Sequence, residues 1–344
     1  MKKSILIIGG AGFIGINSAA YYLSKGYGVI IFDNFSRRGS KSNIAWFKKE
    51  YGIRSIRVIK GDVRYDSSKL QRLVKGVNIV LHLAAQVAVT TSVENPREDF
   101  EINAGGTFNV LEALRKSGNN PVLIYSSTNK VYGGLEDLKI VEQKTRYAFK
   151  NLPLGVSEAR ATDFHSPYGC SKGTADQYVR DYSRIYGLNT IVFRQSCIYG
   201  PHQFGIEDQG WVAWFIIALT KGKTISIYGN GKQVRDLLFV EDLVRAYDLA
   251  AKNIKITKGQ IYNVGGGAKN TISIWFDFKP ILEKLFGRKI EPKFSDWRPG
   301  DQPIYVSDIR KAKKDFGWEP KINVETGIKK LHDWVSSNKE LFNV

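Results

Sequence analysis

Three side chains in the middle of the chain carry groups suited to proton transfer: Thr128, Tyr168 and Lys172. Tyrosine and lysine four residues apart lie on one face of a helix, one turn from each other. An ammonium group there favours the phenolate, so we expect Lys172 to lower the pKa of Tyr168. The Thr128 hydroxyl is expected to hydrogen-bond the same substrate oxygen. Because this spacing also occurs by chance in helices, its weight comes from a glycine-rich turn near the start of the chain.

That turn indicates a dinucleotide site. Gly9, Gly12 and Gly15 lie between the apolar run Ser4–Ile8 and the helical pattern Phe13–Ser24. Glycine permits a tight turn and lets the backbone approach a pyrophosphate, which then lies at the positive end of the following helix. The predicted order of strand, turn and helix is the one that dinucleotide binding requires.

Charged residues beyond the turn bear on which dinucleotide binds. Asp33 ends the second strand, where a carboxylate takes the adenosine ribose hydroxyls and repels a 2′-phosphate, so NAD is favoured over NADP. Arg37 and Arg38 weaken this inference, since a basic pair can receive that phosphate. Asp62 follows the third strand and is expected to accept from the adenine amino group. The other predicted cofactor contacts are Phe13, Ile14, Asn34, Ser36, Val63, Leu83, Ala84, Ala85, Gln86 and Ser126, with Tyr168 and Lys172.

The elements that position these residues alternate between strands and helices. The predicted strands are Ser4–Ile8, Val29–Phe32, Ser55–Ile59, Ile79–Leu83, Val122–Tyr125 and Thr190–Phe193, and the longer helices are Phe13–Ser24, Pro96–Lys116 and Tyr168–Tyr186. Such alternation of continuously apolar strands with helices predicts an α/β fold, a Rossmann-type doubly wound parallel sheet. We expect residues 1–194 to form the NAD-binding domain, with 235–264 returning to it, and 195–344 to form mainly a smaller α/β substrate-binding domain.

Composition limits the class of protein. The 344 residues contain 43% hydrophobic residues and two cysteines, and we expect a cytoplasmic protein without a bound metal, a signal peptide or a membrane span. The net charge of +18 is spread along the chain rather than gathered in an arm or tail. Scattered lysines favour a basic surface over a nucleic-acid site, so we expect neither a nucleic-acid nor a membrane partner.

Together these motifs resemble the extended short-chain dehydrogenase/reductase family over almost the whole chain. The resemblance is carried by Gly9-x-x-Gly12-x-x-Gly15, Asn103-Ala104-Gly105-Gly106-Thr107, Thr128 with Tyr168-x-x-x-Lys172, and Arg235-Asp236. The 4,6-dehydratases of this family carry an Asp-Glu pair after their threonine to supply acid and base, whereas this chain has Asn129-Lys130. The resemblance therefore implies an NAD-dependent enzyme other than a dehydratase.

Longer stretches are similar to the branch of the family that contains CDP-paratose (CDP-tyvelose) 2-epimerases. They are Phe32–Gly39, Ser126–Gly133, Asp163–Gly173, Asp208–Val212 and Gly229–Asp236. The likeness implies a nucleotide-sugar substrate, with a CDP-linked dideoxyhexose favoured. It also implies transient oxidation at sugar carbon 2 with Tyr168 as base, rotation of the 2-keto sugar, and return of the same hydride from tightly held NAD. Lys172 would also hold the nicotinamide ribose.

The resemblance implies further residues and an assembly. The predicted substrate contacts are Thr128, Asn129, Gln203, Asp208, Gln209, Trp211, Arg235 and Arg298, with Arg235 and Arg298 on the diphosphate. Family members pair through the helices that correspond to Pro96–Lys116 and Tyr168–Tyr186, so we expect a homodimer or homotetramer. The alternatives are a UDP-hexose 4-epimerase or another sugar-nucleotide enzyme of the family, and a catalytically silent NAD-binding sensor. A sensor is disfavoured because such proteins usually lose the tyrosine or the lysine.

Overall fold

The computed structural model describes residues 2–298 and 300–342, which form sixteen strands. They are β1 Ser4–Ile8, β2 Gly28–Asp33, β3 Ile56–Lys60, β4 Ile79–His82, β5 Val122–Thr128, β6 Ile140–Glu142, β7 Tyr147–Phe149, β8 Thr190–Gln195, β9 Ile198–Tyr199, β10 Ser226–Tyr228, β11 Val234–Asp236, β12 Leu238–Phe239, β13 Gln260–Val264, β14 Thr271–Ser273, β15 Lys293–Ser295 and β16 Ile304–Tyr305.

The α-helices of these residues lie mostly between the strands. They are α1 Phe13–Ser24, α2 Ser40–Tyr51, α3 Ser67–Val74, α4 Val89–Glu94, α5 Pro96–Phe100, α6 Gly106–Lys116, α7 Ser166–Tyr186, α8 Trp211–Thr220, α9 Val240–Lys252, α10 Ile254–Thr257, α11 Phe278–Phe286, α12 Arg310–Phe316 and α13 Val324–Ser337. A π-helical turn spans Glu101–Gly105, and 3₁₀ turns span Asn129–Tyr132, Ala268–Asn270 and Lys339–Phe342. None of these helices combines the length and apolar character needed to cross a membrane.

Seven parallel strands form the central sheet in the order β13-β8-β5-β4-β1-β2-β3. Alternate residues of β1 enter different cores: Ile5 and Ile7 pack with α1 and α9 on one face, and Leu6 and Ile8 pack with α3, α6 and α7 on the other. Because helices cover both faces, the central strands β1 and β4 consist mostly of apolar residues. The predicted doubly wound parallel sheet is confirmed.

The strand order reverses between β1 and β4, and such a switch leaves a crevice at the carboxyl ends of the strands. A third core surrounds α8, α11 and α13 in the C-terminal part. Strand β13 lies beside β8 at one edge of the central sheet. The division into an NAD-binding and a substrate-binding domain stays a prediction.

Among the differences from the sequence-based expectation, two concern β5 and the helix after β4. Strand β5 continues past Tyr125 to Thr128, because Ser126, Ser127 and Thr128 pair with Phe193–Gln195 of β8. The helix predicted over Pro96–Lys116 is interrupted by the π-helical turn, which is a frequent feature of functional sites. The amide of Asn103 in this turn bonds residues of other elements, which gives a physical reason for the irregular turn.

A buried ion pair joins the longest helix to the sheet. Arg194 of β8 donates from Nε and Nη2 to the two carboxylate oxygens of Asp176 in α7, at 2.9 and 3.0 Å. Ser127 of β5 donates to the same carboxylate at 2.8 Å. The side chains of Asp176 and Arg194 are 0% and 3% exposed. The pair therefore fixes α7 over the ends of β5 and β8.

Removing one partner of this ion pair is expected to destabilise the folded protein. Asp176→Ala leaves the Arg194 charge buried without its carboxylate, so we expect the free energy of unfolding to fall by about 3–5 kcal/mol. Urea unfolding followed by circular dichroism measures the change. The matched control, Asp333→Ala, breaks the exposed pair with Lys329 at 2.6 Å. It should cost less than about 1 kcal/mol, and equal losses in both variants would contradict the prediction.

Candidate active site

A continuous cleft runs along the carboxyl ends of the strands and is lined by most of the predicted site residues. Its first half is bounded by the glycine turn and the ends of β2, β3 and β4, and its second half by the ends of β5 and β8 and the start of α8.

The predicted residues divide between the two halves. The first is lined by Gly9, Gly12, Phe13, Ile14, Asp33, Asn34, Ser36, Arg37, Asp62, Val63, Leu83, Ala84, Ala85, Gln203 and Gln209. The second is lined by Ser126, Thr128, Asn129, Tyr168, Lys172 and Trp211, and it shares Phe13, Ile14, Leu83, Ala85, Gln203 and Gln209 with the first. Shared walls make the two halves one cleft. Four predicted residues, Gln86, Asp208, Arg235 and Arg298, are not on its walls.

The three glycines of the turn are required for different reasons. Gly9 has φ +81°, and a Cβ there would lie 2.6 Å from the Ala84 nitrogen. A Cβ on Gly15 would lie 2.5 Å from the Gly10 Cα. Among the described atoms, a Cβ on Gly12 would meet just the Gly9 carbonyl oxygen, at 3.3 Å. Gly12 therefore borders open cleft at the start of α1, where a dinucleotide diphosphate fits.

Asp33 braces the glycine turn from the end of β2. Its carboxylate accepts from the backbone nitrogens of Ala11 at 3.0 Å and Phe35 at 2.8 Å. Burial raises the pKa of Asp33, while these two hydrogen bonds oppose the shift. Each oxygen accepts one protein hydrogen bond, and a carboxylate oxygen has room for more. The group can therefore also accept ribose hydroxyls.

Asp62 lines the cleft, but its carboxylate already has partners. It accepts from Asn34 Nδ2 at 2.9 Å and from Arg64 Nη2 at 3.0 Å. Burial raises the pKa of Asp62, but the hydrogen bonds from Arg64 and Asn34 outweigh it and leave the pKa below its usual value. The predicted contact with adenine must share this carboxylate with Arg64.

Helix α7 carries Tyr168 and Lys172 into the second half of the cleft. The backbone nitrogen of Tyr168 lies in the first turn of the helix, and it donates to Ser92 Oγ at 3.1 Å. Tyr168 and Lys172 are buried and line the cleft with Thr128, as their spacing predicts. The structure thus brings the three predicted catalytic residues together.

The expectation that the pKa of Tyr168 is lowered is wrong. Burial raises the pKa of Tyr168 to about 12, and a hydrogen bond with Thr128 opposes the shift. Lys172 Nζ donates to the Ser126 carbonyl oxygen and lies 4.3 Å from the centre of the Tyr125 ring. Burial lowers the pKa of Lys172 to about 7, although Asp176 and Asp99 oppose the shift. Desolvation therefore has the largest effect on the pKa values of both Tyr168 and Lys172.

A polar network behind α7 was not predicted from the sequence. Asp99 is buried and accepts from Ser171 Oγ and from Asn103 Nδ2. Asn103 Oδ1 also accepts from the Gln86 backbone nitrogen at 3.0 Å, which explains why Gln86 lies behind the wall rather than on it. Asn103 belongs to a motif that the sequence analysis quoted, and Asp99 precedes it by one helical turn. The one-turn spacing between Asp99 and Asn103 is the sequence pattern that could have identified Asp99 as a partner of Asn103.

The predicted substrate residues outside the cleft walls form ion pairs. Arg298 Nη2 lies 3.0 Å from Asp208 Oδ1, and its guanidinium lies 3.7 Å from the centre of the Tyr228 ring. Arg235 Nη2 lies 2.6 Å from Asp301 Oδ1. Both arginines thus have carboxylate partners. Pro299, in the same stretch as Arg298, lies outside the described residues.

The segment 200–210 covers the cleft and supplied residues that sequence reasoning missed. His202 and Phe204 line the first half, and Cys197, just before the segment, lines the second. The His202 ring lies 3.8 Å from the Trp46 ring, centre to centre, and Arg37 donates to Gln209 Oε1 across the cleft. Cys197 follows the carboxyl end of β8. Because ligands bind at the carboxyl ends of such strands, this position could have identified Cys197 as a residue of the cleft.

Burial of Lys172 predicts a pH-dependent stability difference. Its pKa is about 7 in the folded protein, whereas lysine in an unfolded chain titrates near about 10.4. Below pH 7 the folded protein carries the full cost of a buried charge, and this cost disappears as pH rises towards about 10. We therefore expect Lys172→Met to raise the free energy of unfolding most at low pH.

Urea unfolding of the ligand-free proteins between pH 6 and pH 10 checks this prediction. The control is Lys41→Met, at an exposed lysine of α2, which should show little change across the range. A stability gain for Lys172→Met that stayed constant from pH 6 to pH 10 would contradict the buried charge.

Comparison with known proteins identifies relatives over the full length of the chain. A family described as GDP-mannose 4,6 dehydratase matches residues 6–331. CDP-paratose 2-epimerase of Salmonella typhi is 45% identical over 341 residues, covering 97% of this chain and 99% of that protein. UDP-glucose 4-epimerase of Thermotoga maritima, solved with UDP-glucose, has a TM-score of 0.83 and 30% identity, covering 98% and 99% of the two chains.

A further solved relative bears on the cofactor. UDP-glucuronic acid 4-epimerase of Bacillus cereus, in complex with UDP-glucuronic acid and NAD, has a TM-score of 0.82 and 26% identity, covering 97% of this chain and 99% of that one. At the level of the family, these matches confirm the predicted enzyme class, the epimerase type, and the predicted cofactor, NAD. The chain belongs to the GDP-mannose 4,6 dehydratase family, within the extended short-chain dehydrogenases/reductases.

Proposed function

We propose that the protein is an NAD-dependent nucleotide-sugar epimerase that interconverts CDP-paratose and CDP-tyvelose at sugar carbon 2. The observation that carries the proposal is the convergence of Thr128, Tyr168 and Lys172 in the second half of the cleft. The full-length similarity to the Salmonella typhi enzyme supports the choice of substrate.

The first half of the cleft would hold NAD. The diphosphate would lie at Gly12 and the start of α1, with the adenosine ribose on Asp33. Residues 1–194 and 235–264 would supply the cofactor site, and most of the remaining chain would bind the nucleotide sugar. When bound, NAD supplies reversible acceptance of a hydride at one sugar carbon, with no net redox change.

The chain's own residues would move the proton and steady the oxygen. Tyr168, as phenolate, takes the hydroxyl proton from carbon 2 and later returns it to the same oxygen. Thr128, hydrogen-bonded to Tyr168, donates to that oxygen as its charge develops. The carboxylates of Asp99 and Asp176 favour the protonated form of Lys172, which would also hold the nicotinamide ribose.

The lining of the second half favours epimerisation over dehydration. Loss of water from a sugar requires a positioned acid and base. Among the described residues that line this half, none is Asp or Glu, and Asn129 occupies the wall directly after Thr128. The groups of this wall suited to proton transfer are therefore Tyr168, Lys172 and the Cys197 thiol rather than a carboxylic acid and its carboxylate.

A second candidate is a UDP-hexose 4-epimerase. The fold similarity to the Thermotoga maritima enzyme favours it, since the same three residues serve whichever sugar carbon faces the cofactor. A silent NAD-binding sensor is disfavoured, because both Tyr168 and Lys172 line the cleft. Substrate turnover separates these possibilities.

The decisive experiment incubates the purified protein with CDP-tyvelose, without added NAD, and follows CDP-paratose by chromatography. We expect conversion, and we expect Tyr168→Phe to lose about 10²–10⁴-fold in rate while keeping its bound NAD. No conversion after NAD is supplied would exclude this substrate. Turnover of UDP-glucose instead would select the 4-epimerase, and full activity of Tyr168→Phe would contradict the assigned base.

We further propose that two copies pair through the exposed apolar side chains of α5, α6 and α7. These include Phe100, Phe108, Tyr178 and Ile185, which are between 44% and 66% exposed. Burial of such side chains against a second copy is favourable. We expect light scattering to report a dimer or tetramer, and Phe108→Lys with Tyr178→Lys to give monomers. A monomeric wild-type protein would contradict the proposal.

A further inference from the structure

Lys130 lies beside the active site and has no part in the proton transfer described above. It belongs to the 3₁₀ turn Asn129–Tyr132, which follows Thr128 directly, and its backbone nitrogen donates to Thr128 Oγ1 at 3.2 Å. Its side chain runs towards the C-terminal part of the chain, where Nζ donates to the Gly300 carbonyl oxygen at 3.2 Å. The ammonium group therefore links the end of β5 to the segment that contains Asp301.

The same segment meets Arg235, so two cations share the surroundings of one carboxylate. Arg235 Nη2 lies 2.6 Å from Asp301 Oδ1, and its Nη1 donates to the Val234 carbonyl oxygen at 2.8 Å. Burial and the charge of Arg235 lower the pKa of Lys130 to about 8, while Asp301 opposes the shift. When all three groups are ionised, this cluster carries one excess positive charge in a partly buried place.

The cluster borders the second half of the cleft, which would bind the substrate. Cys197, whose side chain lines that half, interacts electrostatically with both Lys130 and Arg235. Asn129, the residue before Lys130, and Trp211, a hydrogen-bond partner of Cys197, line the same half. Excess positive charge next to a ligand cleft is unfavourable unless an anion compensates it.

We propose that Lys130 is a further diphosphate-binding cation of this site, acting beside Arg235, and that it sets the preference of the cleft for nucleoside diphosphates over monophosphates. A diphosphate brings one more charged group than a monophosphate. This group can offset the positive charge of Lys130 and Arg235 that Asp301 alone does not neutralise. The inference rests on the proposed function, because it takes the substrate to be a nucleotide sugar.

The position also connects binding with chemistry. The Lys130 backbone nitrogen donates to Thr128 Oγ1 within one turn, so an anion drawn to the Lys130 side chain is bound near the oxygen that Thr128 contacts. Lys130 thereby acts as a binding and positioning residue, whereas Tyr168 carries the proton.

The test compares the affinity of nucleoside diphosphates and monophosphates by calorimetry, using CDP with CMP and UDP with UMP. The wild-type protein should bind each diphosphate more tightly than its monophosphate. Lys130→Met should reduce this ratio about tenfold, while monophosphate affinity stays nearly constant. Lys130→Arg keeps the charge and should restore most of the ratio, which separates a lost charge from a disturbed fold.

Lys232→Met is the matched control. Lys232 precedes Arg235 by three residues and pairs with Glu142 at 2.7 Å, away from the cluster. Its removal should leave the affinity ratio unchanged. In turnover with a nucleotide sugar, Lys130→Met should raise KM about tenfold and change kcat much less.

The outcomes separate this inference from the proposed function. An unchanged ratio in Lys130→Met, or equal losses for diphosphate and monophosphate, would overturn the role of Lys130 even if the enzyme epimerises CDP-tyvelose. A wild-type protein with no preference for diphosphates would do the same. A reduced ratio in Lys130→Met, together with no turnover of any nucleotide sugar, would support Lys130 while the proposed function fails.

Discussion

A lysine side chain enclosed within the protein is the constraint around which the active site is built. The ammonium group of Lys172 is removed from water, and such a group is unfavourable unless other polar groups replace its hydration. The Ser126 carbonyl oxygen, the Tyr125 ring and the carboxylates of Asp99 and Asp176 supply that replacement. The continuation of β5 to Thr128 and the close fit of α7 over the sheet follow from this requirement, since both bring these groups to one place.

The cleft uses one segment of chain to enclose both of its halves. Gln203 and Gln209 line the two halves together, and residues of the same segment contact α2 and the loop after β2. A cofactor in the first half would be partly covered by the same residues that face the proposed substrate site. This arrangement suits a reaction in which the cofactor is regenerated within each cycle, because nothing requires it to leave between turnovers.

The sequence predicted those features that depend on local chemistry. The bounds of β1 and α1, the glycine turn, Asp33 at the end of β2, and the joint position of Tyr168 and Lys172 follow from residue types at short spacing. The sequence did not predict contacts between distant parts of the chain. The pairing of Asp208 with Arg298, the bond from Arg37 to Gln209 and the network of Asp99 each join residues whose proximity only the tertiary fold determines.

The absence of carboxylates among the described residues of the substrate half has a consequence for the fidelity of the proposed reaction. A ketone at carbon 2 acidifies the hydrogens on the neighbouring carbons, and a base within reach would expel a hydroxyl group from the next carbon along the ring. Apart from Lys172 and Tyr168, the walls consist of amide, hydroxyl, thiol and apolar side chains, which offer few groups able to remove such a hydrogen. The intermediate can then turn over in its pocket without decomposing, and the sugar leaves with its carbon skeleton and substituents intact.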